Sequence, residues 1–163
     1  MPKYAALMAC GLIGLFSSSA MATTMSALTS MDTQVAKAAN TPYAITLTGD
    51  SSTAFKVEGS KITIQREGDY YMSAAAQVGG SANGNIYLWL RVNGKDVPDS
   101  NSVQNIPSPT FTTVLVSQTG MAFKKGDVLE FVFAATAPGL GMVATKPAGM
   151  PGVPSIIFSI FEL

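Results

Sequence analysis

The chain has 163 residues, of which 47% are hydrophobic and only 12% are charged, and its formal net charge is zero. This length accommodates one domain with an N-terminal extension, and the charged share is about half of that in an average globular protein. Because the sequence has no basic stripe, it excludes nucleic acid as a partner. It also has no histidine, which excludes a Ser-His-Asp triad and removes the commonest general base.

The first 22 residues have the three parts of a bacterial-type Sec signal peptide. Lys3 supplies a positive n-region, residues 5–16 form an apolar h-region, and residues 17–22 end in an A-x-A cleavage site. Because the apolar run is too short to span a bilayer, cleavage is favoured over a transmembrane anchor. We therefore expect a secreted, cell-surface or periplasmic protein with no membrane insertion after cleavage. The only cysteine, Cys10, would be removed, so packing alone must stabilise the mature chain.

Residues 23–40 are small and polar and form an N-terminal arm or linker. Met25, Leu28 and Met31 recur at a spacing of three, which fits either a short amphipathic helix or an extended arm. The segment is interpreted either as a flexible leader or as an arm that packs on a neighbouring subunit.

From residue 41 onward the sequence has the pattern of short β-strands separated by turns. The tightest turn signals are Asn93-Gly94 and residues 124–127. Loops are predicted at 79–85, 99–110 and 137–154, where Gly, Pro, Asn and Ser accumulate. With eight to ten evenly spaced strands and no long helix, residues 41–163 are predicted to form an all-β domain, a jelly-roll β-sandwich of antiparallel strands.

Five segments of this domain follow one another in an order that resembles the globular domain of complement component 1q and the tumour-necrosis-factor superfamily. They are residues 62–64, 68–73, 88–94, 126–131 and 155–163. The resemblance covers residues 41–163 and implies a bacterial member of this superfamily without a collagen stalk. It also implies a homotrimer in which aromatic side chains of the inner sheet pack around a threefold axis.

The last strand, residues 155–163, is apolar on both of its faces. One face belongs to the sandwich core, and the other then requires a partner surface. This pattern favours an oligomer over a monomer whose loops cover the second face. The aromatic residues predicted to form the interface are Tyr71, Tyr87, Trp89, Phe131, Phe133, Phe158 and Phe161.

Acidic and amide side chains in the predicted loops are candidates for binding rather than catalysis. The carboxylates that flank Gly68 and Pro98 lie in turns, where Asp is favoured for local hydrogen bonds, so no catalytic residue is assigned. The candidates for contact with a glycan or a surface protein are Asn83, Asn85, Asp96, Asp99 and Asn101.

A calcium ion would require the loops that carry Asp96, Asp99 and Asn101 to converge with Asp50. The sequence has no EF-hand spacing and no other metal motif. Related domains sometimes hold calcium, but no metal ligand is assigned here and no cofactor is expected.

These observations predict a secreted, non-enzymatic, homotrimeric jelly-roll module. It would act in surface or matrix structure or in adhesion, and its loops would bind a glycan or a protein. The alternative is a structural subunit of a fibre or pilus-like polymer, in which the arm at 23–40 pairs as a strand with the next subunit.

Overall fold

The computed structural model describes residues 24–163. The predicted signal peptide, residues 1–22, lies outside the described residues, and so does Cys10. Within residues 24–163 the chain forms thirteen β-strands and no helix. This content of strands confirms the predicted all-β class. Among these residues, no helix has the length and apolar character required to cross a membrane.

Nine of these strands have four or more residues, and four have two or three. In chain order the strands are β1 Met25–Ser30, β2 Gln34–Val35, β3 Tyr43–Ala44, β4 Phe55–Glu58, β5 Lys61–Ile64, β6 Gly68–Gly80, β7 Gly84–Val92, β8 Lys95–Asp96, β9 Ser102–Ile106, β10 Thr113–Phe123, β11 Val128–Ala135, β12 Leu140–Met142 and β13 Ile156–Glu162.

The strands form two antiparallel sheets. Sheet A has the order β1-β13-β6-β10, and β12 continues along β6 beyond β13, with β2 at its edge. Sheet B has the order β4-β5-β11-β7-β9, with β3 beside β11 and β8 beside β7. The two sheets pack face to face as a jelly-roll sandwich, which confirms the predicted architecture.

Alternation along the strands decides which side chains fill the space between the sheets. In β6, Tyr70, Met72 and Ala74 are fully buried, whereas the residues between them face outward. Phe131 of sheet B meets Phe158 of sheet A with ring centroids 4.8 Å apart. This contact joins the two sheets at the centre of the core, where tilted aromatic pairs add to the hydrophobic stabilisation.

Two turns identified in the sequence lie side by side and bind each other. Asn93, with φ of 51°, and Gly94, with φ of 76°, close the β7–β8 hairpin. Asn93 Nδ2 donates to Asp127 Oδ1 at 2.8 Å, and the amide of Val128 donates to Asn93 Oδ1 at 2.9 Å. Asp127 Oδ2 also accepts from the amide of Lys124 at 2.8 Å. The hydrogen bond from Asn93, and then that from the Lys124 amide, lowers the pKa of Asp127.

We expect Asp127→Asn to reduce stability by about 1 kcal/mol at neutral pH, because an amide replaces an ionised acceptor at a partly exposed site. Since the pKa of Asp127 is lowered on folding, its stabilisation is present above the ordinary aspartate range and is lost as the pH falls through the folded value. The difference in melting temperature between the two proteins should therefore shrink below about pH 4. Asp50→Asn is the control, because it removes the same charge from an exposed position. Parallel pH profiles for the original protein and Asp127→Asn would contradict this account.

A partly buried ion pair ties the end of the last strand to the loop before β6. Arg66 Nη2 donates to Glu162 Oε2 and, at 3.0 Å, to Thr24 Oγ1. Glu162 is 9% exposed, and Tyr70 donates its hydroxyl to the Arg66 carbonyl at 2.8 Å. Burial, and then the negative charge of Glu162, raises the pKa of Tyr70.

Glu162→Gln should lower the free energy of unfolding by about 1–2 kcal/mol, because it leaves the Arg66 guanidinium without its carboxylate in a half-desolvated position. Urea unfolding measures this loss. The matched control is Glu58→Gln, which breaks a surface pair whose two side chains are 55% and 63% exposed and should change stability by less than about 0.5 kcal/mol. Equal losses in both variants would rule out a special role for the buried pair.

Residues 25–35 are extended, which is one of the two forms predicted for the arm: β1 pairs with β13 from Met25↔Phe161 to Ser30↔Ile156, and β2 pairs with β12. Two of the predicted loops contain a strand. The predicted loop at 99–110 contains β9, which a polar composition concealed. The predicted loop at 137–154 contains a short strand, Leu140–Met142.

Candidate functional site

The outer face of sheet A carries large apolar side chains that are exposed to solvent. Val114, Val116, Ile157 and Met25 are 58%, 46%, 44% and 62% exposed, although valine and isoleucine in strands usually pack against another layer. We name the apolar face as the set Met25, Tyr71, Val114, Val116, Ile157 and Phe161.

The strand register places these side chains in continuous rows across the sheet. Met25 lies opposite Phe161, and Phe161 lies opposite Tyr71, with the two rings 6.2 Å apart. Ala75 of β6 separates Ile157 from Val116 in a second row. The other outward positions in and around these rows are small or polar and uncharged: Ala27, Thr29, Ser73, Gln77, Gln118, Gly120 and Ser159. The exposed Asp69 lies beyond Tyr71, at the edge of this face. An apolar patch of this kind without charges is typical of a protein interface.

The seven aromatic residues predicted for an interface lie in three different environments. Tyr71 and Phe161 belong to the apolar face. Phe131, Phe133 and Phe158 are at most 2% exposed and fill the core between the sheets, which removes them from the surface available to a partner. The reason is register, because their strands turn these rings inward.

Tyr87 and Trp89 lie on the outer face of sheet B, on the opposite side of the sandwich from the apolar face. They form the floor of a groove with a volume of about 450 Å³, within the usual range for a small-ligand pocket. We name it the Trp89 groove. Its lining residues are Asn40, Pro42, Tyr87, Trp89, Asp96, Val97, Pro98, Asp99, Asn101 and Ala134.

A hydrogen-bonded carboxylate fixes the indole ring in this groove. Trp89 Nε1 donates to Asp96 Oδ1 at 2.8 Å, and Arg91 Nε donates to the same oxygen at 2.8 Å. The β7–β8 hairpin creates this arrangement, because it places Arg91 directly opposite Asp96. The hydrogen bond from Trp89, followed by that from Arg91, lowers the pKa of Asp96.

A buried serine holds the wall of the groove that carries Asp99 and Asn101. Ser100 is 3% exposed, and its Oγ accepts from the amide of Leu90 at 3.1 Å and donates to the carbonyl of Val97 at 2.8 Å. Because Ser100 points inward, its neighbours Asp99 and Asn101 point toward solvent, and both line the groove.

The structure brings together three of the five predicted ligand-binding residues. Asp96, Asp99 and Asn101 all line the Trp89 groove. Asn83 lies in the β6–β7 turn, and Asn85 accepts a hydrogen bond from Asn105 Nδ2 at 2.9 Å. Neither of these two residues lines the groove.

Sequence reasoning did not find the other groove residues. Asn40 and Pro42 reach it because Asn40 donates its amide to the Ala135 carbonyl at 2.7 Å and β3 pairs with β11. No local pattern in the sequence signals these long-range pairings. Alternation along β7 puts Tyr87 and Trp89 on one face of the strand, but it gives no sign of the groove.

In the part of the chain that the structure describes, no group of three or more His, Cys, Asp or Glu residues is arranged to hold a metal ion. Asp50, the fourth residue considered for calcium, is not among the residues that line the groove.

Comparison with solved structures identifies the type of jelly roll. No family model matches the sequence, and no curated protein matches it. Three crystal structures of murine APRIL, at pH 5.0, 8.0 and 8.5, superpose on 86% of this chain with TM-scores of 0.62, 0.61 and 0.57. The superposition covers 99%, 99% and 100% of those chains, at 9%, 9% and 10% sequence identity. This chain therefore shares the jelly-roll fold of murine APRIL.

Proposed function

We propose that the protein is a secreted, non-enzymatic module that self-associates as a homotrimer through the apolar face. It acts in surface or matrix structure or in adhesion, and it leaves the outer face of sheet B free to bind a glycan or a protein. The observation that carries the proposal is the apolar face itself. It extends across β1, β13, β6 and β10, and no charged side chain interrupts it from Met25 and Phe161 to Val114.

The energetics of this face support association. Moving a large aliphatic or aromatic side chain from water into an interface contributes roughly 1.5–3 kcal/mol when its burial is complete. The burial of six such side chains on each subunit contributes a free energy comparable with the roughly 4–15 kcal/mol that association costs in lost translational and rotational freedom. The same face in every copy allows closed symmetric assembly.

The choice of a trimer comes from the resemblance to the tumour-necrosis-factor and complement-1q jelly rolls. In such trimers the sheet with the last strand in its interior faces the threefold axis. Here β13 lies between β1 and β6 in sheet A, and it supplies Ile157 and Phe161 to the apolar face. The predicted signal peptide at residues 1–22 supports secretion.

Light scattering after size-exclusion chromatography tests the proposal on the purified protein. A mass three times that of the monomer is expected and would support the threefold assembly. A monomer at all concentrations would overturn it.

Species that keep growing with concentration would instead favour the fibre alternative. The pairing of all six residues of β1 with β13 of the same chain argues against that alternative, because the arm would have to leave this position in order to pair with the next subunit in the same way.

A further inference from the structure

We propose that the Trp89 groove is a binding site for an amino sugar, whose pyranose ring lies on Trp89 and Tyr87 and whose ammonium group pairs with Asp99. This inference deepens the glycan-binding part of the proposed function, and it is independent of self-association because the groove and the apolar face lie on opposite sides of the sandwich.

The floor of the groove has the shape that a sugar ring requires. Tyr87 and Trp89 are two residues apart on β7, so their side chains stand about 7 Å apart on one face. In the sheet register Tyr87 is flanked by Ala134 and by Val103, which is 56% exposed. Ala134 is buried, whereas Tyr87 is partly exposed. The accessible part of this row can pack against the C–H face of a pyranose while the hydroxyl groups remain in water.

The indole is preorganised for this contact. Because Asp96 Oδ1 accepts from Trp89 Nε1 and from Arg91 Nε, both at 2.8 Å, the ring is held before a ligand arrives. A held ring loses little conformational freedom on binding, which favours affinity. Asp96 is therefore a positioning residue for Trp89.

The charges of the groove favour a sugar that carries a positive charge. Arg91 Nη2 lies 2.8 Å from Asp96 Oδ1 and compensates that carboxylate. Asp99 makes neither an ion pair nor a side-chain hydrogen bond to any residue between 24 and 163. One uncompensated negative charge therefore remains beside the aromatic floor, which favours a cationic ligand over an anionic one.

The backbone of the rim is held in an uncommon conformation. Asp99 and Asn40 have φ values of 60° and 54°, and they are two of the three non-glycine residues with positive φ among residues 24–163. Conformations of this kind occur at ligand sites when the surroundings enforce them, and here the buried Ser100 does so next to Asp99. Asn101 completes the rim and offers an amide to sugar hydroxyls.

A lysine or methyl-lysine side chain of a protein is the other cation that could meet these residues. Such a ligand is held best by an aromatic cage that surrounds the ammonium group. The two aromatic residues of the Trp89 groove lie on one strand, so they form a floor rather than a cage. The geometry therefore favours the sugar.

The chain offers a direct readout, because Trp89 is its only tryptophan. We would titrate the protein at about pH 6, where primary amines are protonated, and follow tryptophan fluorescence. The probes are β-1,4-linked glucosamine tetramers, glucose tetramers of the same linkage, galacturonate tetramers and a lysine-rich peptide. Glucosamine tetramers should give a saturable shift and bind about threefold to fivefold more tightly than glucose tetramers, with galacturonate weakest.

Variants measured by calorimetry separate the contributions. Trp89→Ala should weaken glucosamine binding by at least about tenfold. Asp99→Asn should bring the preference for glucosamine over glucose close to one and leave glucose binding unchanged. The matched control is Asp32→Asn, which removes an exposed carboxylate outside the groove and should alter neither affinity.

Four results would overturn the inference: no response to glucosamine tetramers, galacturonate binding as tight as glucosamine binding, unchanged affinity in Trp89→Ala, or binding of the lysine peptide alone. Binding that disappears with a calcium chelator would also overturn the direct pairing of Asp99 with the amine. The oligomeric state and the titration of the unsubstituted protein distinguish the two proposals. If that protein is monomeric and binds glucosamine tetramers, only the assembly is wrong; if it is trimeric and does not bind them, only this inference is wrong.

Discussion

Val116→Lys is expected to convert the trimer that we propose into a monomer, with the measured mass falling to one third. Val116 lies in the apolar face and is 46% exposed. A lysine at this position brings a charge into a surface without a carboxylate partner, and each copy in the interface would bury one such charge. Desolvating an unpaired ammonium costs several kcal/mol, more than the contact it replaces can offset. Light scattering measures the outcome.

The matched control is Val103→Lys, because Val103 is also an exposed strand valine, at 56%, but lies on the outer face of sheet B. This variant should keep the mass of the unsubstituted protein. If Val116→Lys keeps that mass as well, the apolar face is not the interface. If both variants dissociate, the interface is not confined to sheet A.

The second large effect compares two phenylalanines of the same strand that face in opposite directions. In the Val116→Lys background, Phe158→Ala should reduce the free energy of unfolding by about 3–5 kcal/mol, because Phe158 is fully buried against Phe131. Phe161→Ala should cost only about 1 kcal/mol there, since it loses mainly its contact with Tyr71. Urea unfolding gives both values.

Without the Val116→Lys substitution, Phe161→Ala should instead weaken association, and the trimer should dissociate at a higher protein concentration than before. Similar unfolding losses for Phe158→Ala and Phe161→Ala in the monomer would contradict the assignment of one ring to the core and the other to the apolar face.

Much of the sandwich follows from local patterns in the sequence. Alternation in residues 86–92 and 155–163 separates the two faces of β7 and β13, and the burial along both strands follows it. The Asn93-Gly94 signal marked a real hairpin because both residues adopt positive φ. These features depend on neighbours a few residues apart, which a sequence displays directly.

The remaining strands depend on partners far along the chain. In β1 the spacing of Met25, Leu28 and Met31 imitates a helical period, yet Leu28 and Ser30 are the positions that the sandwich buries. β9 has only Ile106 fully buried, so its polar residues looked like a loop. In both cases pairing with an apolar strand overrides weak local preference.

In the candidate site, too, local patterns predict some residues and long-range pairing brings in the others. Asp96, Asp99 and Asn101 lie within six residues of one another, so their proximity was evident from the sequence, whereas Asn40 arrives only through pairing near β11. Aromatic content alone could not assign rings to surfaces. Phe131 faces the core, and even Val132, which points outward from the same strand, is fully buried. Exposed aliphatic residues such as Val114, rather than aromatic ones, make up much of the apolar face.

The hydrogen bond from the amide of Glu162 to the carbonyl of Thr24, at 2.9 Å, has a consequence for engineering the chain. It brings residues 24 and 163 to neighbouring positions at one end of sheet A, a strand spacing of roughly 5 Å apart. A linker of a few residues can therefore join them, and the turn at 81–83 offers a surface position for new ends. A circular permutant opened there keeps every strand pairing described above. The same linker could join several copies of the domain in one polypeptide. One copy could then carry a substitution in its Trp89 groove while the other copies of the assembly remain unchanged.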